Sequence, residues 1–190
     1  MILPNRHYVY PGVVDEVELG ALEVLIQPRK QSDDAGSGQP FLATCALGFR
    51  DPAVPTGIWS MPHPDCLCAV SGGYAYLIDT MRPEQFTMLR YRPVLDVLPY
   101  APDSFRRLPE NLRSAAEKQH SLSDGLLLFV SHHSAMAWGR DGEVWESDRL
   151  SWEGITNLRI EGNLLRGEGW DLTTDKDLPF ALDLETGKRL

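Results

Sequence analysis

Three clusters in this 190-residue chain carry side chains able to do chemistry. The first is His63-Pro64-Asp65-Cys66-Leu67-Cys68. One residue separates its cysteines, so on a strand both thiols share a face, and His132 or His133 could complete a tetrahedral zinc site. Against this, zinc loops usually leave two or more residues between cysteines, and there is no second Cys pair, so strand core with a surface His63 is the expectation. The second cluster is Ser131-His132-His133-Ser134, which suggests a nucleophile and its base. Adjacent strand residues face opposite ways and no Gly-x-Ser-x-Gly elbow exists, so a hairpin tip is expected. The third is Trp170-Asp171-Leu172-Thr173-Thr174-Asp175-Lys176-Asp177, with hard oxygen ligands of the kind calcium takes but without EF-hand spacing. A solvated hairpin loop is the expectation there. Phosphate-cradling glycine motifs are absent. No complete catalytic set, metal site or cofactor is therefore implied.

One further feature stands out. Residues 141–190 hold 12 acids and 6 bases, so they carry −6 of the chain's formal −9, and they include Trp145, Trp152 and Trp170. Carboxylates steer a basic protein and aromatics anchor it, which makes this stretch a candidate docking face. The competing expectation places the tryptophans in a sheet core with the acids on its wet side. Trp152, in Leu150-Ser151-Trp152-Glu153-Gly154, borders a loop and is the tryptophan expected to be exposed. The docking residues expected from sequence are Trp152, Glu153, Asp171, Asp175 and Asp177.

Positioning these groups falls to short strands. With 16 Gly and 14 Pro among 43% hydrophobic residues, apolar runs of strand length lie between dense turn signals, an all-β signature. Strands are expected at 22–27, 41–48, 66–71, 74–79, 86–91, 126–131, 135–139, 144–147, 158–161, 164–167 and 180–184. Asp141-Gly142 suits a type I′ hairpin turn, with similar reversals at Glu161-Gly162-Asn163 and Glu185-Thr186-Gly187, so the strands form an antiparallel meander. The small polar tract 31–39 reads as a mobile loop, and one short helix is expected at 109–120, opened by Pro109. At an offset of 60, Cys66-Leu-Cys-Ala-Val-Ser71 falls on Leu126-Leu-Leu-Phe-Val-Ser131, which suggests an internal repeat of 64–100 in 124–160. The length suits a single all-β domain spanning 1–190.

The phrases Ala135-Met-Ala-Trp-Gly-Arg-Asp-Gly-Glu-Val-Trp145 and Pro179-Phe-Ala-Leu-Asp-Leu-Glu-Thr-Gly-Lys-Arg189 resemble the third strand, turn and fourth strand of β-propeller blades, particularly the quinoprotein-like kind. The resemblance covers residues 124–190 well and 66–100 more weakly. It implies blade-like hairpins without an activity, since propellers serve as enzymes, scaffolds and inhibitors alike. Residues 1–60 show no blade, so an open or small propeller-like meander and a two-sheet sandwich are equally compatible.

Charge argues against a nucleic acid or an anionic membrane surface as the main partner, because both attract Lys and Arg clusters. The longest apolar run, Leu126-Leu-Leu-Phe-Val130, is far short of the roughly 18 residues of a membrane span. Residues 1–14 include Pro4, Asn5, Arg6 and Pro11 and lack a signal-peptide core. Three cysteines make an odd set suited to a reducing compartment, so a cytoplasmic location with free thiols is expected. The leading functional expectation is a non-enzymatic acidic interaction protein, in its most specific form an immunity-type inhibitor masking a basic partner. The alternatives are a small-ligand or metal-binding enzyme using His132, His133 or the 171–177 loop, and a structural subunit of a larger assembly.

Overall fold

The computed structural model describes residues 4–11, 17–28, 39–101 and 125–190. The expected helix at 109–120, and all of the expected loop at 31–39 except Gln39, lie outside them. The described residues form 14 strands in four sheets, so the chain is all-β. The chain comprises two compact units, Met1–Val94 and Leu95–Leu190.

The first unit contains β1 (His7–Tyr10), β2 (Ala21–Ile26), β3 (Phe41–Ala46), β4 (Gly57–Ser60), β5 (Cys66–Ser71), β6 (Tyr74–Asp79) and β7 (Phe86–Met88). One sheet has the order β1-β3-β2 and the other β4-β5-β6-β7. Strand β2 alternates, burying Val24 and Ile26 while Glu23 and Leu25 face outward, as a half-covered strand must. Central β3 is buried along almost its whole length and supplies Phe41, Ala43 and Cys45 to a core shared with Ala69, Tyr76 and Ile78 of the second sheet. Tyr10 enters the same core, where its hydroxyl donates to Pro83 O at 2.6 Å. The parallel pairing of β1 with β3 departs from the expected all-antiparallel meander.

The second unit contains β8 (Asp96–Tyr100), β9 (Leu126–Val130), β10 (Ala135–Gly139), β11 (Gly142–Glu146), β12 (Ile155–Glu161), β13 (Leu164–Asp171) and β14 (Lys176–Asp183). Its sheets have the orders β11-β10-β9-β8 and β12-β13-β14, both meanders. Leu128, Val130, Ala135 and Ala137 of the first meet Leu165, Phe180 and Leu182 of the second, with Leu184 just beyond β14, in one core. Trp145 is buried there and donates from Nε1 to Leu184 O at 3.0 Å. Gly187, at φ 70°, turns beneath the Trp145 ring, where a Cβ would stand 2.6 Å from the indole.

Two turns test the sequence chemistry. Gly72 and Gly73 close the β5–β6 hairpin at φ 55° and 76°, both positive as a type I′ turn needs. The β10–β11 reversal differs from expectation. Its central residues are Arg140 and Asp141, neither at positive φ, and Gly142 takes φ 133° as the first residue of β11. The register slips by one residue beyond it, between Ala137 and Trp138. The offset-60 alignment sets β5 over β9 and β6 over β10, the central strands of two sheets with the same meander order. That order belongs to a propeller blade and to any antiparallel meander alike, and nothing among the described residues singles out a propeller.

Candidate functional site

At one end of the second unit, the loop joining β11 to β12 lies against the tip of the β9–β10 hairpin. The tip is Ser131-His132-His133-Ser134, closed by Ser131 N donating to Ser134 O at 3.0 Å, with both histidines exposed. Its carbonyls hold the loop. Leu150 N donates to His133 O at 2.6 Å, and Gly154 N donates to His132 O at 3.1 Å. Ser147 locks the loop's start, since its N–H donates to Ala135 O and its hydroxyl accepts from Ala135 N at 3.0 Å. Ser151 is only 1% exposed, and its hydroxyl bonds to Gly154 O and accepts from Glu153 N at 3.2 Å. Trp152 N then donates to Trp170 O at 2.9 Å, tying the loop to β13. Gly169 makes this approach possible, because a Cβ there would collide with the backbone carbonyl of Leu150.

This framework presents Trp152 with 48% of its surface in solvent. The Arg149 guanidinium lies over the indole, 4.4 Å from its centroid. Glu146, Asp148 and Glu153, close to it in sequence, are exposed. Large apolar groups at this end also face solvent, Leu172 in the 171–175 turn and Leu178 on β14. A loop whose backbone is already bonded loses little further entropy when its exposed aromatic is covered, which favours binding by Trp152.

The expected docking carboxylates divide into two kinds. Glu153 and Asp177 are exposed and free of side-chain hydrogen bonds among the described residues. Asp171 instead organises its own turn, with Oδ1 accepting from Thr173 N, Thr174 N and the Thr174 hydroxyl. The Thr174 backbone and hydroxyl bonds hold its carboxyl below the usual carboxylate range. Asp175 sits at φ 53° and accepts from Trp170 Nε1 at 3.3 Å. The loop at 171–177 is thus a capped hairpin turn, and its three carboxylates do not turn toward one point.

The metal-like pattern in the first unit resolves similarly. Cys68 is fully buried and Cys66 partly so, while His63 Nδ1 accepts from Asp65 N at 3.2 Å within its own turn. All three cysteines are free thiols. Burial raises each of them, pushing Cys45 up to about 12. Among the described residues, no three His, Cys, Asp or Glu side chains converge as a metal would require. His133 Nδ1 lies 3.3 Å from Ser151 O, a structural contact beside the loop.

Sequence reasoning missed Arg149 and Arg189, which line a cleft of about 270 Å³ with Trp152, Trp170, Asp171 and Leu178. The three-residue spacing of Arg149 and Trp152 was a visible signal. For Arg189 there was none, because its place depends on the chain folding back so that it bridges Leu182. Among the described residues no helix is long and apolar enough to cross a membrane. No protein-family model, curated protein or solved structure matches the chain.

Proposed function

We propose that this chain is a non-enzymatic acidic protein that docks a basic protein partner through the Trp152 end of its C-terminal unit. In its most specific form the reading makes it an inhibitor that masks the partner, as small acidic immunity proteins do. The observation that carries it is Trp152, 48% exposed on a loop hydrogen-bonded to two neighbouring elements. A large rigid aromatic with acidic neighbours has the make-up of an interface hot spot with electrostatic steering. Three free thiols suit a reducing cytoplasm as the place of action.

The capped turn refines which acids to test. Asp171 and Asp175 support the turn and are left intact, so the informative variant is Glu153→Lys with Asp177→Lys, beside Trp152→Ala. The assay is capture of partners from lysate of the native source at low and raised salt, with each candidate then titrated against purified protein. A stoichiometric basic partner, released by salt and weakened at least tenfold by either variant, is the expected result. Unchanged affinity in both variants would refute the reading, provided far-ultraviolet circular dichroism shows them folded.

A further inference from the structure

From the cleft beside Trp152 we infer a binding site for a small carboxylate carried on a flat apolar body, such as a substituted benzoate. The inference goes beyond the docking reading and does not rest on it, because it uses the opposite charge. Residues 141–190 carry −6, yet this cleft is walled by two guanidiniums and one carboxylate. The carboxylate, Asp171, directs Oδ1 into its own turn, where three donors already meet it, and lies near enough to Arg189 to feel its charge, though not within ion-pair distance.

The arginines of this unit differ in what they contact. Arg159 and Arg166 are both taken by Glu161, at 2.6 and 2.8 Å. Neither Arg149 nor Arg189 has a carboxylate within ion-pair distance among the described residues. Arg149 lies over the Trp152 ring, 4.4 Å from its centroid, and its N–H groups have no hydrogen-bond partner among the described residues. Arg189 spends one N–H on Pro179 O at 3.4 Å and keeps the others. Planar guanidiniums with open edges suit carboxylates, which they can engage through two parallel hydrogen bonds.

The remaining walls set the body of the ligand. Trp152, Trp170 and Leu178 are flat or apolar, and about 270 Å³ falls below the usual range for drug-sized ligands. At the ~30 Å³ a water occupies in the liquid, the cleft has room for about nine non-hydrogen atoms, the number in a benzoate. Ring against indole and carboxylate against guanidinium would use the tryptophan and arginine walls.

The test is titration of the ¹⁵N-labelled full-length chain with 4-methylbenzoate, following the indole N–H signals of Trp152 and Trp170. Saturable shifts of both signals are expected. The neutral 4-methylbenzamide, and the Arg149→Gln and Arg189→Gln variants, should each bind at least tenfold more weakly, while Arg159→Gln binds as the parent does. Absence of saturable shifts, equal binding of the amide, or equal binding by both cleft variants would overturn the site. These outcomes leave the protein-docking experiment untouched, so each reading fails on its own evidence.

Discussion

Substituting Gly169 by alanine puts one methyl group against the backbone that presents Trp152. A Cβ there would collide with Leu150 O and lie 3.0 Å from the Leu150 carbonyl carbon and from Ser151 Cβ. These are backbone and loop atoms, so the 150–152 segment must move away from β13. Movement of that kind breaks Trp152 N to Trp170 O and strains Leu150 N to His133 O, at about 1 kcal/mol each. Partial withdrawal of buried Leu150 from the core adds about 1–2 kcal/mol. Alanine's better strand propensity returns about 0.5–1 kcal/mol, leaving a net loss of about 2–3.5 kcal/mol. For a unit of this size that corresponds to a fall in Tm of roughly 8–28 °C. The control is Gly162→Ala, at φ 61° with open space around it, where backbone strain alone costs about 1–2 kcal/mol. Urea unfolding followed by circular dichroism supplies the stabilities, and acrylamide quenching of tryptophan fluorescence reports the loop. Gly169→Ala should be the more destabilised and the more quenched of the two. If Gly162→Ala is the more harmful, or quenching is unchanged in Gly169→Ala, then close packing on Gly169 does not hold the loop.

Other consequences are open to measurement. Trp145→Phe removes the bond to Leu184 O and leaves a buried carbonyl unpaired, so it should cost about 2–4 kcal/mol in denaturant unfolding. A loss below about 1 kcal/mol would show that this bond is immaterial. At about pH 8 a chromogenic disulfide reagent should modify the partly exposed Cys66 first, with Cys45 and Cys68 reacting only as the chain unfolds. Because burial raises Cys45 to about 12, the unfolded chain loses its thiol protons first, and stability should fall as pH rises above the ordinary thiol range. Flat stability there would contradict the buried thiols. Asp171 has the opposite sign. Its carboxyl is lowered in the fold, so its contribution is present at neutral pH and disappears as pH falls through its folded value. Asp171→Ala should therefore be less stable than the parent at about pH 7 and converge with it at about pH 2, and a gap independent of pH would show that the carboxylate is not the cap.

Every strand that escaped the sequence lies at a sheet edge, although not every edge strand escaped it. Central strands such as β5, β6, β9 and β10 are paired on both sides, and their continuous apolar runs between Gly and Pro marks locate them to within a residue or two. The three that went unread, β1, β4 and β8, all sit at sheet edges. An edge strand bonds on one side only, so Pro99 is tolerated in β8, and Gly57 and Ser60 in β4. The features that erase a strand signal are those an edge allows. Other edges, β2, β7, β11, β12 and β14, remained readable, β2 because Val24 and Ile26 alternate into the core.

Local chemistry was equally readable where one residue decides it. Leu150-Ser-Trp152-Glu153-Gly154 reads as a loop edge where a tryptophan meets solvent, as Trp152 does. Asp171, Asp175 and Asp177 look equivalent in sequence, since nothing there tells a docking carboxylate from a turn cap. Only the geometry of Thr173 and Thr174 around Oδ1 separates them. The same holds for the cleft. Arg149 and Arg189 lie 40 positions apart, and their convergence depends on β13 and β14 bringing the chain's end back beside the 147–154 loop. Composition, hairpins and the acidic bias follow from neighbours along the chain, and so sequence alone determined them. Which carboxylates are free, which cations are unpaired and what stands beside Trp152 follow from contacts across many residues, and those only the tertiary structure decided.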